Sequence, residues 1–119
     1  MQRKLNSNPM DLSVVIPVYN EEESIAELAG WIEQTCTVSK IDYEIIFIDD
    51  GSSDSSWKVI SDLSVHNSAV RGIKFRRNYG KAAALHSGFM EAKGEVVVTM
   101  DSDLQDSPDE IPGLMKMIS

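Results

Sequence analysis

Val96-Val97-Val98-Thr99-Met100-Asp101-Ser102-Asp103-Leu104-Gln105-Asp106 decides how the rest of the chain is read. An apolar run too short for a good helix ends abruptly in two carboxylates separated by one residue. Such a run reads as a buried parallel strand that delivers Asp101 and Asp103 to the carboxyl edge of a sheet. That edge is where open α/β folds bind ligands. Two acids with the nearby amide oxygen of Gln105 make an all-oxygen donor set, which suits Mg²⁺ or Mn²⁺ rather than zinc. An ion held that way keeps positions open for substrate phosphate oxygens. Asp-x-Asp alone is weak evidence, and a plainer reading competes with it. Acids favour the N-terminal dipole of a helix, here with Pro108 in the first turn. That reading is accepted for Asp106, Asp109 and Glu110 and left open for Asp101 and Asp103.

The chain has 119 residues, enough for one domain with a real core. Lysine plus arginine is 11 and aspartate plus glutamate 19, a formal net charge of −8. This argues against nucleic acid as a partner, because backbone binding needs a basic face. An acidic protein that handles a phosphorylated substrate needs a cation between the two, which keeps a divalent metal in view. Cys36 is the only cysteine; it lies in a helical pattern and reads as a small buried apolar residue. Residues 1–11 form a polar lead-in with no apolar segment of the signal-peptide kind. No apolar run approaches the ~20 residues that a membrane-spanning helix needs. The chain is therefore expected to be cytosolic or to face the cytosol.

Working back from the acidic tip, the other elements alternate. Leu12-Ser13-Val14-Val15-Ile16-Pro17 is a strand rich in branched residues, and Pro17, which cannot donate to a central ladder, marks its end. Asn20 or Ser24 is a candidate cap for a helix with Ile25, Leu28, Ala29, Ile32 and Cys36 at helical spacing. Tyr43 to Ile48 is a second strand, followed by the turn cluster Asp49-Asp50-Gly51-Ser52-Ser53-Asp54 and a helix carrying Trp57, Ile60 and Leu63. Val70 to Phe75 is a short third strand. The basic loop Arg76-Arg77-Asn78-Tyr79-Gly80-Lys81 leads to a small-residue helix over 82–92, which Gly94 is expected to close at its C-terminus. A terminal helix follows, its start blurred by Pro112. The order βαβαβαβα predicts an α/β, Rossmann-like three-layer sandwich with a mostly parallel sheet.

In that topology four polar clusters fall on one edge. Each has a plain reading and a functional one. Asp49-Asp50 is either a turn and cap, or a carboxylate that accepts from a nucleobase N–H or a ribose hydroxyl. Gly51 either lets backbone approach a ligand or only supplies a positive φ. Pro17, Tyr19 and Glu21 are either a rigid turn with an exposed ring, or a stacking face for a base. Arg76, Arg77 and Lys81 are either a solvated loop or a counter-charge for a diphosphate. His66 and His86 have no metal-ligand spacing and read as surface or helix-face residues.

As an ordered set the clusters resemble the nucleotide-binding half of a family 2 glycosyltransferase of the GT-A fold. The residues that carry the resemblance are Val15 to Glu21, Ile48 to Ser52, Arg77 to Lys81 and Met100 to Asp106, within a match over roughly residues 12–118. The Asn-Tyr-Gly-Lys loop and the Asp-Ser-Asp-Leu-Gln-Asp segment are most similar to the branch that passes sugars to polyprenyl phosphates. That branch includes dolichyl-phosphate mannose synthases and bactoprenol glucosyltransferases. The resemblance implies that Pro17, Tyr19, Glu21, Ile48 and Asp50 line a nucleoside pocket. It implies that Asp101 and Ser102 contact ribose or phosphate. Asp103, counted with them in the nucleotide site, would with Gln105 ligate Mg²⁺ or Mn²⁺, and Lys81 and Arg77 would contact the diphosphate. It further implies an inverting transfer from a UDP-glucose or GDP-mannose type of donor. The acceptor half and any catalytic base would lie beyond Ser119, in a full-length protein at the cytoplasmic face of a membrane. On that expectation, residues 12–119 bind nucleotide without transferring sugar, and an uncovered sheet edge promotes self-association.

Three rivals compete. A phosphoryl-transfer enzyme would use Asp101 as nucleophile and Asp103 as acid, but that pair usually follows the first strand. A receiver-type signalling module would need a phospho-acceptor after the third strand, where Phe75 and Arg76 stand. A nucleotide-binding module without transferase activity is the third. A dinucleotide oxidoreductase is disfavoured because no Gly-x-Gly-x-x-Gly follows any strand.

Overall fold

The structure is a computed structural model that describes residues 10–118. The lead-in expected over 1–11 therefore lies mostly outside the described residues. Met10 and Asp11, assigned to it from the sequence, instead open the first strand.

Four strands, β1 (Met10–Val18), β2 (Tyr43–Asp49), β3 (Val70–Lys74) and β4 (Gly94–Thr99), form one sheet in the order β3-β2-β1-β4. Every described pairing is parallel. Helices α1 (Ile25–Val38), α2 (Ser56–His66) and α3 (Lys81–Glu91) make the connections. A 3₁₀ turn over Pro108–Glu110 leads into α4 (Ile111–Ile118). The main core gathers Leu12, Val14, Ile16 and Phe47 under Ile25, Leu28 and Ile32 of α1, Ile60 of α2 and Ile111 of α4. The opposite face buries Val15, Ile46 and Ile48 against Ala84 of α3. The expected three-layer α/β sandwich is thus what forms.

Burial follows position in the sheet. The central strands β1 and β2 are closed on both faces, so their apolar residues run without alternation. The edge strands alternate. This corrects the reading of the valine run: β4 is an edge strand buried on one face only. Val96 and Val98 pack on the main core, while Val97 is 39% exposed. The cause is that α3 packs mainly over β1 and β2.

Pro17 falls inside β1 and is still tolerated there. Val15 O accepts from Met100 N–H on the β4 side, and Val18 O accepts from Asp50 N–H on the β2 side. Residues alternate, so the Pro17 nitrogen faces the β4 side just beyond Thr99, where that ladder has ended. Gly94 does not close α3. It is the first residue of β4, and a Cβ on it would lie 2.5 Å from the main chain of Leu12 and Ser13. Close approach of the β4 backbone to β1 is what requires glycine there.

Candidate functional site

At the carboxyl edge of the sheet, the loops after all four strands meet. The loop after β2 is locked first. Asp49 Oδ1 accepts from Ser52 N–H at 3.0 Å, so it is the turn-forming member of the acid pair. Asn20 stands at φ +54° and caps this same loop rather than its own helix: its Oδ1 accepts from Ser53 N–H at 2.8 Å. Gly51 stands at φ +76°, and a Cβ there would meet Arg77 and Asn78 main chain at 2.3 to 2.8 Å. Its close approach is to the protein's own loop.

Asp50 is buried and ties the second loop to the third. Oδ1 accepts from Tyr79 N–H at 2.7 Å, Oδ2 accepts from Gly80 N–H at 3.1 Å, and the main-chain oxygen accepts from Asn78 Nδ2 at 3.2 Å. Gly80 N–H also reaches Oδ1 at 3.3 Å, so it is Oδ2 that retains a lone pair for a further donor. Fixing Gly80 in this way places Lys81, the first residue of α3, beside the tip of β4. There its Nζ lies 2.8 Å from Asp101 Oδ1. The hydrogen bond and charge of Asp101, with Asp106 and Asp103 behind it, hold the Lys81 ammonium above its ordinary pKa.

The acidic loop is a compact turn. Asp101 N–H donates to Asp106 Oδ2 at 3.0 Å, Gln105 N–H donates to Asp103 Oδ1 at 3.2 Å, and Leu104 sits at φ +67°. Asp106 therefore caps this loop and does not begin a helix, a correction to the sequence reading. Asp109 does lie in the 3₁₀ turn, where Ser107 is the cap, and its carboxylate accepts from Trp31 Nε1 at 2.8 Å.

These loops enclose an open cleft of about 320 Å³ lined by Pro17, Val18, Tyr19, Glu21, Asp50, Lys81, Asp101, Ser102 and Asp103. The cleft brings together most of the residues singled out from the sequence and leaves out three. Ile48 is fully buried beneath the edge, facing α3. Arg77 turns away and lays its guanidinium over the Tyr79 ring at 4.9 Å. Gln105 is exposed on the rim, and only its main-chain N–H acts on the loop. Sequence reasoning missed Val18, an apolar residue with no polar signal. Ser24, a candidate cap from the sequence, does stand at the N-cap position of α1 but makes no side-chain cap hydrogen bond there. His66 and His86 are exposed, as expected.

Among the described residues no three His, Cys, Asp or Glu side chains converge on one ion-sized point. The carboxylates that line the cleft, Asp101 and Asp103 of the acidic loop with Glu21 and Asp50, are hard oxygen donors. That fits a Mg²⁺- or Mn²⁺-type ion held by one or two carboxylates and completed by substrate phosphates, and it does not fit an all-protein cage.

A parallel α/β sheet with an acid-tipped cleft at its carboxyl edge is a layout in which open α/β folds bind their ligands. The family model described as glycosyl transferase family 2 matches residues 13–119, and the chain belongs to that family. It is 47% identical over 105 residues to an undecaprenyl-phosphate 4-deoxy-4-formamido-L-arabinose transferase of Pseudomonas fluorescens, covering 87% of this chain and 31% of that protein. The counterpart from Aeromonas hydrophila is also 47% identical, over 88% of this chain and 32% of its own length. The chain thus spans about a third of the relatives it matches. Its fold is that of the mannosyltransferase PcManGT from Pyrobaculum calidifontis, solved with GDP-Man and Mn²⁺, at a TM-score of 0.79 and 22% identity over 99% of this chain and 36% of that one. Glucosyl-3-phosphoglycerate synthase from Mycobacterium tuberculosis, solved with UDP, superposes with a TM-score of 0.70 at 26% identity over 92% and 40%. No described helix is long and apolar enough to cross a membrane.

Proposed function

We propose that residues 12–119 are the donor-binding part of an inverting, metal-assisted glycosyltransferase. Its donor is a nucleoside diphosphate sugar and its acceptor a polyprenyl phosphate, with the whole protein working at the cytoplasmic face of a membrane. One observation carries the reading: four separate stretches of sequence converge on a single cleft that offers an aromatic face, carboxylates and one ammonium. The names of the relatives, which specify undecaprenyl phosphate, support the acceptor class. The nucleotides in the solved neighbours, GDP-Man and UDP, support the donor class.

The roles follow from chemistry. Tyr19, half exposed at the mouth, offers its ring face to a base. Pro17 and Val18 form the apolar wall beside it. Glu21 and Asp50 accept from base or ribose donors, and Asp101 and Ser102 meet ribose or phosphate. Lys81 neutralises part of the diphosphate charge, while Arg77 approaches it only by leaving Tyr79. Asp103 would hold the ion, and Gln105, exposed beside the cleft, would supply a second oxygen by turning its side-chain amide toward it. When bound, Mg²⁺ or Mn²⁺ acts as a Lewis acid that stabilises charge on the leaving nucleoside diphosphate. The acceptor phosphate oxygen attacks C1 as that group departs. The open edge of β4 is also a pairing surface for a second copy of the isolated chain.

Calorimetric titration with UDP and GDP tests the reading. Binding is expected to tighten strongly when Mn²⁺ or Mg²⁺ is present, and Asp103→Ala should abolish that metal dependence. Nucleotide binding that ignores the metal, or no binding of either nucleotide, would refute it.

A further inference from the structure

Ser24 stands where α1 begins. A serine there ordinarily accepts a hydrogen bond from an N–H two or three residues on. It makes no such bond. Its hydroxyl donates instead to the main-chain carbonyl of Ser102, 78 residues away, and both residues are buried. A hydroxyl has one proton to give. Glu21 O at 3.3 Å and Glu21 Oε2 at 3.4 Å are the longer alternatives, so the Ser102 carbonyl takes it.

That carbonyl belongs to the peptide unit joining Ser102 to Asp103. The unit is planar, so fixing its oxygen fixes the direction in which the chain enters Asp103. The other bonds on the turn, Asp101 N–H to Asp106, Gln105 N–H to Asp103 and the Lys81 ammonium to Asp101, are exposed to water. Leu104, next in line, holds a left-handed conformation that surrounding structure must enforce. Farther along α1, Trp31 Nε1 holds Asp109 on the far side of the turn. One helix therefore grips the acidic segment at both ends, and its first grip is the only buried one.

We infer that Ser24 is a positioning residue: it gives up its helix cap to set the approach of the Asp101 and Asp103 carboxylates to the cleft. The role in metal-assisted binding rests on the function proposed above; the effect on loop geometry does not.

The test uses this chain with Ser24→Ala and Ser24→Thr. Amide hydrogen exchange without ligand reads the loop, and calorimetry with UDP or GDP, with and without Mn²⁺, reads the site. In Ser24→Ala, exchange over 101–106 should quicken while β1 and β2 stay protected. The Mn²⁺-dependent gain in nucleotide affinity should fall about tenfold, the size expected for one lost buried hydrogen bond, with Mn²⁺-free affinity unchanged. Ser24→Thr, which keeps the donor, should restore both. Unchanged exchange, equal losses with and without Mn²⁺, or no rescue by threonine would overturn the inference. A wild-type chain with no Mn²⁺-dependent gain would overturn the site role and the proposed function together, whatever the exchange shows. If Ser24→Ala does not fold, Ser24→Cys keeps the volume with a weak donor and carries the same readouts.

Discussion

Glu44→Gln should weaken the fold strongly while leaving the cleft intact. Glu44 lies on β2 with its carboxylate buried, toward the end of the sheet opposite the cleft. Oε2 accepts from Ser13 Oγ at 2.6 Å and from Lys93 N–H at 2.8 Å, and Oε1 accepts from Arg71 Nε at 3.0 Å. Ser13 Oγ in turn accepts from Gly94 N–H at 2.8 Å. One carboxylate thus ties edge strand β3, central strand β1 and the start of β4 together. An amide has the same shape but replaces one acceptor oxygen with a donor. It then opposes either Lys93 N–H or the Arg71 guanidinium, and the charge assistance is lost. A buried group left unpaired costs about 1–3 kcal/mol, and a hydrogen bond to a charged group contributes about 1.5–3. Arg71 is one-third exposed, so water recovers part of its share. The net expectation is about 3 kcal/mol, or about 10–20 °C in Tm for a domain of this length. Burial raises the Glu44 pKa, but the Ser13 hydroxyl, Lys93 N–H and Arg71 outweigh it and hold the group below its ordinary 4.5. A depressed carboxyl contributes stability above its unfolded value and loses it as the pH falls through the folded one. The gap between wild type and variant, read by thermal melting, should be full at pH 7 and narrow below about pH 4.5. A gap under about 3 °C at pH 7, or one that is unchanged at pH 3, would refute the reasoning.

Gly51→Ala places a methyl group against loop backbone at a positive φ, and should cost about 2–4 kcal/mol in urea unfolding. Gly30→Ala, in open space on α1, should instead add up to about 1 kcal/mol; equal effects would show that steric contact is not what selects glycine at 51. Burial pushes the Cys36 thiol up to about 11, so at pH 8 it should react with a thiol reagent only after unfolding; labelling of the native chain within minutes would contradict this. Lys81→Met removes an ammonium that occupies the acidic cluster through an exposed pair contributing about 0–1 kcal/mol. Mn²⁺ affinity without nucleotide, followed by electron paramagnetic resonance, should rise about three- to tenfold while nucleotide affinity in Mn²⁺ falls. Weaker Mn²⁺ binding would mean that the lysine supports the ion.

The sequence by itself determined the class of fold and most of the residues that line the cleft. Strand runs ending in polar clusters, alternating with helical spacing, left little besides a parallel sheet with those clusters on one edge. Pro17, Tyr19, Glu21, Asp50, Lys81, Asp101, Ser102 and Asp103 were legible because each is polar, aromatic or rigid at a strand end. What only the tertiary structure decided was which groups spend their hydrogen bonds on one another. Asp106 and Asn20 satisfy every local rule for a helix start, yet each caps a loop brought near by the sheet. Gly94 has the look of a helix stop and is required by a neighbouring strand. Ile48 and Arg77 stand next to site residues but point elsewhere. Local pattern sets the period and the ends of elements, whereas partners many residues away are set by how the layers stack, and no spacing in the chain encodes that contact directly.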